Sequence, residues 1–293
     1  MPRIDVVVVT YNSAEHIRAC VEPLCADDGI SVIVVDNNSS DATLDVLAPL
    51  PLTVIRREDN RGFAFGCNAG WRAGAAPSVV FLNPDSQADP GAILALADRL
   101  EGEPPTGIVG PTIVDERGSV YLSQRRFASF AISLAAAFFV PRLRPATRWS
   151  LDVADDAAYR RPGTPDWVSG ACLAIRRELL EETDGFDEGF FMYYEDMDLC
   201  RRARDAGAEV RYDPSIRVIH VGGASAPRAR LIPVMTRSRL RYARKHHGRR
   251  GELLERLATA LHSLTHVALT TQGGEARRGY LAALRTALTP GDT

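Results

Sequence analysis

Three acids stand within four positions of an otherwise apolar and aromatic run, the segment from Phe191 to Leu199. They are Glu195, Asp196 and Asp198. The neighbours indicate that the segment packs against the protein body, where an unpaired carboxylate is costly unless a metal, a cation or a substrate hydroxyl accompanies it. The run continues to Gly207 as a predicted helix, which places Glu195 and Asp196 in its first turn, where the helix dipole favours negative charge. An ionised aspartate there suits a general base; a cluster that only caps the helix is the alternative.

Four polar clusters stand after apolar runs in the N-terminal part of the chain. They are Thr10-Tyr11-Asn12, Asp36-Asn37-Asn38, Asn60-Arg61-Gly62 and Asn83-Pro84-Asp85. A single aspartate after a strand is usually a turn residue or a helix cap. Four clusters at one edge of a sheet are better explained by a ligand site, because open α/β sheets bind ligands beyond the carboxyl ends of their strands.

Two of these positions have a specific chemical interpretation. Asp36 is suited to bind a ribose hydroxyl or a nucleobase, and Asp85 to hold a divalent cation that bridges two phosphates. The alternative for Asp85 is a cap for the helix that begins near Pro90. His220 ends a later predicted strand and is a candidate further metal ligand, although a histidine in such a place is more often structural.

The elements that must position these residues form an α/β pattern. Apolar runs predict strands at residues 4–10, 31–36, 52–56 and 78–82. Helices are predicted at residues 15–24, 41–47, 65–73 and 90–100. Strands that alternate with helices indicate a largely parallel sheet.

Beyond residue 106 the alternation changes. Further strands are predicted at residues 107–111, 119–122, 167–175, 209–212 and 216–221. A helix is predicted at residues 177–183, and residues 141–165 are expected to form an ordered loop or lid. From about residue 232 the chain is predicted to be helical and amphipathic.

Composition and missing motifs exclude several classes of protein. The net charge of −2 gives no field for nucleic acid, and no dinucleotide-binding or P-loop glycine motif is present. Five scattered cysteines, an odd number without a CxxC pair, favour a reducing compartment over a disulfide framework or a zinc site. The chain begins directly with a predicted strand, so no signal peptide is expected. The longest apolar run, Phe127 to Val140, is shorter than the ~20 residues that span a bilayer.

A basic run in the C-terminal part leaves two interpretations open. Seven basic residues and no acid lie between Arg228 and Arg250. Such a run attracts an anionic membrane surface or a diphosphate-bearing acceptor, but it is more often a solvated helix face. The apolar run from Phe127 to Val140 is likewise either a lipid contact or a core helix or dimer contact.

Roughly residues 4 to 225 resemble the inverting family 2 glycosyltransferases of the GT-A fold, and among them the bacterial rhamnosyltransferase-like members. Each motif is weak alone, but their order and spacing are specific. The motifs are Val9-Thr10-Tyr11-Asn12, Val35-Asp36-Asn37-Asn38-Ser39-Ser40-Asp41, Asn60-Arg61-Gly62-Phe63-Ala64, Leu82-Asn83-Pro84-Asp85, Trp167-Val168-Ser169-Gly170-Ala171, Gly185-Phe186-Asp187-Glu188 and Tyr194-Glu195-Asp196-Met197-Asp198-Leu199.

The resemblance implies a role for each matching residue. Asp196 would be the general base, with Glu195 beside it shaping the acceptor site. The implied metal ligands are Asp85 and His220, which would hold Mg²⁺ or Mn²⁺ on the diphosphate. Asn83 stands where many members have aspartate and leaves one fewer negative charge on the metal. The implied donor-binding residues are Thr10, Tyr11, Asn12, Asp36, Asn38, Asn60, Gly62, Asn68, Asn83 and Asp85, and the implied acceptor-binding residues are Trp167, Gly170, Tyr194 and Glu195.

The resemblance also implies an architecture and an activity. We expect an α/β GT-A fold with a mostly parallel central sheet flanked by helices: residues 1–110 as the nucleotide-sugar half, 111–225 as the acceptor and catalytic half, and 226–293 as a helical extension. The expected reaction is inverting transfer of a sugar, L-rhamnose from dTDP-L-rhamnose, to a hydroxyl of a glycan, a lipid-diphosphate-sugar or a small molecule. A UDP-hexose or UDP-galactofuranose donor and a non-catalytic binding module are the alternatives. The expected location is cytoplasmic, with peripheral contact at the inner face of the cell membrane and a homodimer left open.

Overall fold

The computed structural model describes residues 1–102, 105–222, 228–269 and 273–289. Ten strands are found among them. They are β1 (Ile4–Thr10), β2 (Ile30–Asp36), β3 (Thr53–Arg56), β4 (Ser78–Leu82), β5 (Ser86–Gln87), β6 (Thr106–Val114), β7 (Gln124–Arg125), β8 (Trp167–Val168), β9 (Cys172–Arg176) and β10 (Glu209–His220).

Ten α-helices accompany the strands in the same described ranges. They are α1 (Ile17–Val21), α2 (Thr43–Leu47), α3 (Phe63–Ala73), α4 (Pro90–Gly102), α5 (Phe130–Ala137), α6 (Val140–Leu143), α7 (Arg177–Glu182), α8 (Glu195–Asp205), α9 (Arg228–Leu269) and α10 (Gly273–Leu288).

Eight strands form one central sheet in the order β3-β2-β1-β4-β9-β6-β10-β5. The first four are parallel, as predicted, so their carboxyl ends meet at one edge. β9 is antiparallel to both β4 and β6, and β5 is antiparallel to β10. β10 is parallel to β6, so six of the eight strands run in one direction and the sheet is mostly parallel, as predicted, with β9 and β5 as its antiparallel members. The pairing of Leu82 with Cys172 shows that β9 enters the sheet at the edge where β4 ends.

Several predicted elements differ in extent from the observed ones. The strand predicted at residues 167–175 is interrupted at Ser169 to Ala171, which separate β8 from β9. The two strands predicted at 209–212 and 216–221 are one strand, β10, with a register shift between Asp213 and Arg217. Pro214 lies in that irregularity, where its missing N–H does not break a regular ladder. The helix predicted at 15–24 is reduced to α1, which ends shortly before Pro23.

The core lies on both faces of the sheet because the central strands are buried on both sides. Along β1, Val7 and Val9 belong to one apolar cluster, whereas Val6 and Val8 belong to the other. This alternation follows from the two-residue period of a strand. The first cluster includes α3 and α8, so the acid-bearing helix packs directly on the sheet.

The C-terminal helices pack on this core from one side. α9 is divided by Gly248, whose φ of 68° is not helical, into two segments. α9 contacts α5 and α10. The boundary predicted between residues 225 and 226 falls outside the described residues. None of the described helices is at once long enough and apolar enough to cross a bilayer.

Candidate functional site

Three buried polar side chains at the carboxyl ends of β1 and β2 each have one oxygen atom without an internal partner. Thr10, Asp36 and Asn37 expose 0%, 1% and 3% of their surfaces. Thr10 Oγ1, Asp36 Oδ1 and Asn37 Oδ1 form no hydrogen bond with the described residues. Buried polar atoms in folded proteins are ordinarily satisfied. The three atoms therefore mark the place where a polar ligand group would complete the structure.

The loops that follow these strands fix one another. Asn12, with a φ of 51°, accepts a hydrogen bond at Oδ1 from the backbone N–H of Ser40 and donates its own N–H to Ser39 Oγ. Asn38 also has a positive φ, 66°, a conformation that asparagine tolerates better than most residues. Tyr11 is 51% exposed beside them. Its ring is thus accessible to solvent beside the ends of β1 and β2.

Gly62 joins this edge of the sheet to the segment that precedes α8. Asn60 Oδ1 accepts the Gly62 N–H, and the Gly62 carbonyl accepts from Asn37 Nδ2. The next residue, Phe63, donates its N–H to the carbonyl of Phe191 at 2.7 Å. A Cβ at Gly62 would clash with that carbonyl, and its φ of 95° also favours glycine.

Asn68 is a structural residue, which corrects the prediction that it lines the donor pocket. It is 1% exposed. Its Nδ2 donates to the Phe186 carbonyl and to Glu188, while its Oδ1 accepts from Trp71 and from the Phe186 N–H. A cleft of about 390 Å³ beside it contains none of the residues at the strand ends. No capacity of the Asn68 amide remains for a donor.

Asp85 and His220 lie together beyond β4 and β10. Their Oδ1 and Nε2 atoms are 3.1 Å apart, and Asn83 Nδ2 is 3.4 Å from the same His220 nitrogen. Burial would raise the pKa of Asp85, but the hydrogen bond with His220, the charge of His220 and smaller contributions together outweigh it and leave that pKa below its usual value. Asp85 is therefore a carboxylate at neutral pH.

This pair fits the chemistry of a divalent cation. A carboxylate oxygen and an imidazole nitrogen both bind Mn²⁺, and two ligands at right angles around one ion are ~3 Å apart. Among the described residues no group of three or more His, Cys, Asp or Glu side chains is arranged to hold a metal. The remaining ligands would have to come from the bound diphosphate or from water.

Two consecutive residues connect the Asp85 pair to the acid-bearing helix. The Ala171 carbonyl accepts from the Asn83 N–H and from Ser86 Oγ, on either side of Asp85. The Gly170 N–H donates to Asp196 Oδ2 at 3.0 Å. Because neighbouring Cα atoms are ~3.8 Å apart, the break between β8 and β9 brings the two groups of acids together. This explains why the predicted continuous strand is interrupted.

Glu195 is buried and Asp196 beside it is half-buried, and the two carboxyl groups differ in hydrogen bonding. Burial raises the pKa of both, and it raises that of Glu195 well above its usual range. Asp196 accepts the N–H groups of Gly170 and Met197, which favour its charged form, whereas Glu195 Oε2 has no partner in the described part of the chain. Asp196 is thus the carboxyl group of the pair that ionises more readily. Such a difference suits Asp196 for proton transfer.

Two of the predicted acceptor-binding residues form hydrogen bonds with other parts of the chain. Trp167 is 7% exposed in the core, and its Nε1 donates to the Arg126 carbonyl. Tyr194 is also 7% exposed, and its hydroxyl accepts from Arg239 Nε at 2.9 Å. We therefore assign both to the scaffold, which corrects the prediction. Glu195 and Gly170 remain in the candidate site.

Sequence reasoning missed Arg125 as a neighbour of the acid pair. Its charge lowers the pKa of Asp196, although less than burial raises it. The guanidinium is 2.8 Å from Asp152 and lies over the Trp167 ring. Trp167 begins the motif Trp167-Val168-Ser169-Gly170-Ala171. Arg125 lies 42 positions earlier in the chain, and no local pattern links it to that motif.

Asp198 has a different role from its neighbours in the acidic cluster. It is 0% exposed and lies within 2.8–3.0 Å of Arg202, Lys245 and His246. Burial would raise its pKa, but His246 and the two cations outweigh it and hold the pKa below the usual value. Nearby, Asp187 pairs with Arg241 and Lys245, and its pKa falls to about 2. Arg241 and Lys245 of the basic run thus make internal contacts, both with Asp187 and, for Lys245, also with α8.

The segment before α8 has a strained backbone that α9 supports. Tyr193 and Tyr194 have φ values of 69° and 68°, and this conformation costs ~1–2 kcal/mol for a residue with a Cβ. Ser238 Oγ donates to the Met192 carbonyl, and Arg239 donates to the Tyr194 hydroxyl. These contacts hold the acid pair at the start of α8.

The eight-stranded sheet, with its polar edge and the acids at the start of α8, has the architecture of the GT-A fold. The fold is found in the mannosyltransferase PcManGT from Pyrobaculum calidifontis, solved with GDP-Man and Mn²⁺. It covers 98% of this chain and 87% of that one, with a TM-score of 0.61 and 18% identity. At this identity the comparison supports the fold alone.

Sequence comparison identifies the family. The model of glycosyl transferase family 2 matches residues 5–183, and the chain belongs to that family. The N-acetylglucosaminyl-diphospho-decaprenol L-rhamnosyltransferase of Mycobacterium tuberculosis is 33% identical over 74% of this chain and 75% of its own length. Rhamnosyltransferase WbbL of Escherichia coli K12 is 24% identical over 74% of this chain and 83% of its own length. The protein is therefore a glycosyltransferase.

Proposed function

We propose that the protein transfers L-rhamnose from dTDP-L-rhamnose, with inversion, to a hydroxyl group of a lipid-diphosphate-linked sugar. The transferred sugar and the acceptor are those suggested by the names of the rhamnosyltransferase relatives, and dTDP is the nucleotide that the family resemblance implies. The observation that carries the assignment to this chain is the convergence of three features: unpartnered buried polar atoms at Thr10, Asp36 and Asn37, the Asp85–His220 pair, and the acid pair held by Gly170.

The strand ends would bind the nucleotide. Asp36 Oδ1 and Thr10 Oγ1 are positioned to exchange hydrogen bonds with a base or ribose, and each bond would replace an unsatisfied buried atom. Tyr11, Asn12, Asn38 and Asn60 shape the loops around this pocket. Tyr11 offers an exposed ring on which a base can stack.

Asp196 would act as the general base. An acceptor hydroxyl that attacks the sugar must lose a proton as the new bond forms, and Asp196 is the carboxyl of the pair that ionises more readily. Such a base contributes ~10²–10⁴-fold to the rate. Glu195 keeps its proton more tightly and can donate a hydrogen bond to the acceptor. Direct displacement with a single base inverts the anomeric centre.

The leaving diphosphate would lie beside Asp85 and His220. These two side chains, with Asn83 next to them, would hold Mg²⁺ or Mn²⁺ through one carboxylate oxygen and one imidazole nitrogen. When bound, a divalent cation neutralises the charge that develops on the diphosphate. Asn83 adds no charge of its own, so binding of the donor and of the ion should depend strongly on each other.

A lipid-linked acceptor would place the enzyme at the inner face of the cytoplasmic membrane. The apolar residues of α5 are divided between buried positions such as Ile132 and exposed ones such as Phe130. The segment therefore offers only part of its surface to a lipid. Whether two copies pair stays a prediction.

Calorimetric titration tests the donor. dTDP-L-rhamnose, UDP-glucose, UDP-galactofuranose and GDP-mannose are each titrated with and without Mn²⁺ into the wild type and into Asp36→Asn and Asp59→Asn variants. We expect Mn²⁺-dependent binding of dTDP-L-rhamnose, weakened about 10–100-fold by Asp36→Asn. Asp59→Asn is the matched control, because Asp59 is exposed on the neighbouring loop.

Each alternative has its own result. Tight binding of a UDP-sugar instead of dTDP-L-rhamnose would replace the proposed donor and leave the transferase assignment intact. Failure of every donor to bind folded protein would favour a non-catalytic binding module.

A further inference from the structure

The half of α9 that follows Gly248 presents a row of leucines to solvent. Leu253, Leu257 and Leu264 are 60%, 59% and 53% exposed, and Leu254 beside them is 42% exposed. Spacings of four and seven residues place the first three on one face of the helix. Contiguous apolar surface on a soluble protein marks an interaction site more often than an isolated exposed leucine does.

The opposite face of the same half-helix is polar and buried. Glu255, Thr259 and Ser263 repeat every four residues and are 4%, 2% and 0% exposed. Glu255 lies 3.5 Å from the guanidinium of Arg239. A helix that packs on a protein body normally turns its apolar stripe inward. Here the polar stripe is inward, so more than half of the surface of Leu253, Leu257 and Leu264 is left outside the packing on the rest of the chain.

The segment that follows α5 exposes further apolar side chains near the same half of α9. Thr265 of α9 donates to the carbonyl of Ala137, which places the end of α5 against the helix. Immediately beyond it, Phe138 is 58% exposed, and Leu143 and Trp149 are 78% and 40% exposed. Aromatic side chains with one polar edge are favoured at membrane interfaces.

Exposed arginines flank the leucine row and this segment. Arg249 and Arg250 begin the half-helix, and Arg142 and Arg144 lie around Leu143. None of the four forms an ion pair with a residue that the structure describes, in contrast to Arg239 and Lys245 earlier in α9. Cations beside an apolar face match an anionic lipid headgroup layer above an acyl interior.

We propose that the leucine face of α9 and residues 138–149 dock on the surface of an anionic lipid bilayer. The half-helix would lie in the plane of the interface, with its leucines among the acyl chains and its arginines at the headgroups. Docking would bring the enzyme to the membrane that holds a lipid-linked acceptor. The docking proposal does not rest on the proposed function, because binding to vesicles needs neither donor nor acceptor.

Vesicle flotation tests the surface. The full chain is mixed with vesicles of phosphatidylcholine alone or of phosphatidylcholine with phosphatidylglycerol, at low and high salt. We expect binding to the anionic vesicles, reduced about tenfold or more by Leu257→Gln/Leu264→Gln, because the leucines supply buried apolar area. Val54→Gln, a substitution at an exposed apolar side chain on the edge of the sheet, is the control and should leave binding unchanged.

A charge-matched pair of variants tests the arginines. Arg249→Glu/Arg250→Glu should abolish most of the binding to anionic vesicles and remove its salt dependence, because each basic residue near the surface adds attraction that salt screens. Arg160→Glu/Arg161→Glu changes the net charge equally at another exposed place and should have little effect.

Two results would overturn the proposal. Equal binding by the leucine variant and the wild type would exclude the leucine face. A dimer in light scattering that Leu257→Gln/Leu264→Gln makes monomeric, with no vesicle binding by either form, would show that a second copy covers this face. Loss of donor binding in calorimetry with vesicle binding intact would instead refute the proposed function and leave the docking surface standing.

Discussion

The acidic motif Glu195-Asp196-Met197-Asp198 has two ends that lie in opposite environments. Asp196 is half-buried in the first turn of α8, where burial opposes its charge and two backbone N–H groups favour it. Asp198, two residues later, turns toward α9 and is surrounded by Arg202, Lys245 and His246. The pKa of the first is raised and that of the second is lowered. Acids with few partners are suited to chemistry, and acids with several cations hold a structure together.

Replacing Asp196 tests the catalytic end of this comparison and should have the largest effect. Asp196→Asn keeps the shape and removes the base, so we expect the rate of transfer to fall by about 10²–10⁴-fold. Donor affinity should be unchanged. The melting temperature should be equal or higher, because the variant buries no ionisable group there. Steady-state kinetics with calorimetry and thermal denaturation measure all three. A variant with full activity would exclude Asp196 as the base.

Replacing Asp198 tests the structural end. Asp198→Asn removes the buried carboxylate that faces Arg202 and Lys245, and removing one partner of a buried ion pair costs about 3–5 kcal/mol. We expect that loss in the free energy of unfolding, measured by urea denaturation. Asp205→Asn is the control, since its pair with Arg201 is exposed and contributes ~0.5 kcal/mol or less. An equal loss in both variants would contradict the distinction.

The sequence predicted the first four strands more closely than the rest of the fold. β1 and β4 have the predicted bounds, and β2 and β3 differ by one residue, because runs of β-branched residues are a local signal. The antiparallel insertion of β9 and the break at Gly170 depend on pairing with β4 and β6, which no local pattern encodes. The polar clusters that follow these strands could be predicted as well, because each comes directly after an apolar run.

The errors in the predicted site have a common cause. Asn68 was assigned to the donor pocket, yet its partner Phe186 lies 118 positions away in the chain. Tyr194 was assigned to the acceptor, yet its hydroxyl is bound by Arg239, 45 positions later. A residue type in a motif predicts that the residue matters. Whether its polar atoms face a ligand or another part of the chain is decided by tertiary contacts.

Tyr194 links α9 to the segment that precedes α8. Its replacement should have a smaller effect than the replacement of Asp196 or Asp198. Tyr194→Phe removes the hydrogen bond from Arg239 to the segment that holds Glu195 and Asp196. We expect kcat to fall about 3–10-fold, with an unchanged donor dissociation constant, since such a bond contributes ~0.5–1.5 kcal/mol. Tyr193→Phe is the matched control, because no hydrogen bond of its hydroxyl is found among the described residues. A loss of stability with unchanged kcat would make Tyr194 purely structural.

Acid pH should separate the two ends of the motif within a single experiment. Asp198 has a lowered pKa in the folded protein, and that of Asp187 is about 2. Their contribution to stability is therefore present above the unfolded value of ~4 and is lost as the pH falls through the folded values.

Glu195 and Asp196 act with the opposite sign. Their folded pKa values are raised, so the stability that they contribute is present below the unfolded values of ~4 and is lost as the pH rises through the folded values. We expect Asp198→Asn to flatten the acid side of a plot of unfolding free energy against pH, and Asp196→Asn to flatten the side nearer neutrality. Identical changes in the two variants would mean that the two carboxyl groups share one environment, and the division of the motif into a catalytic and a structural end would fail.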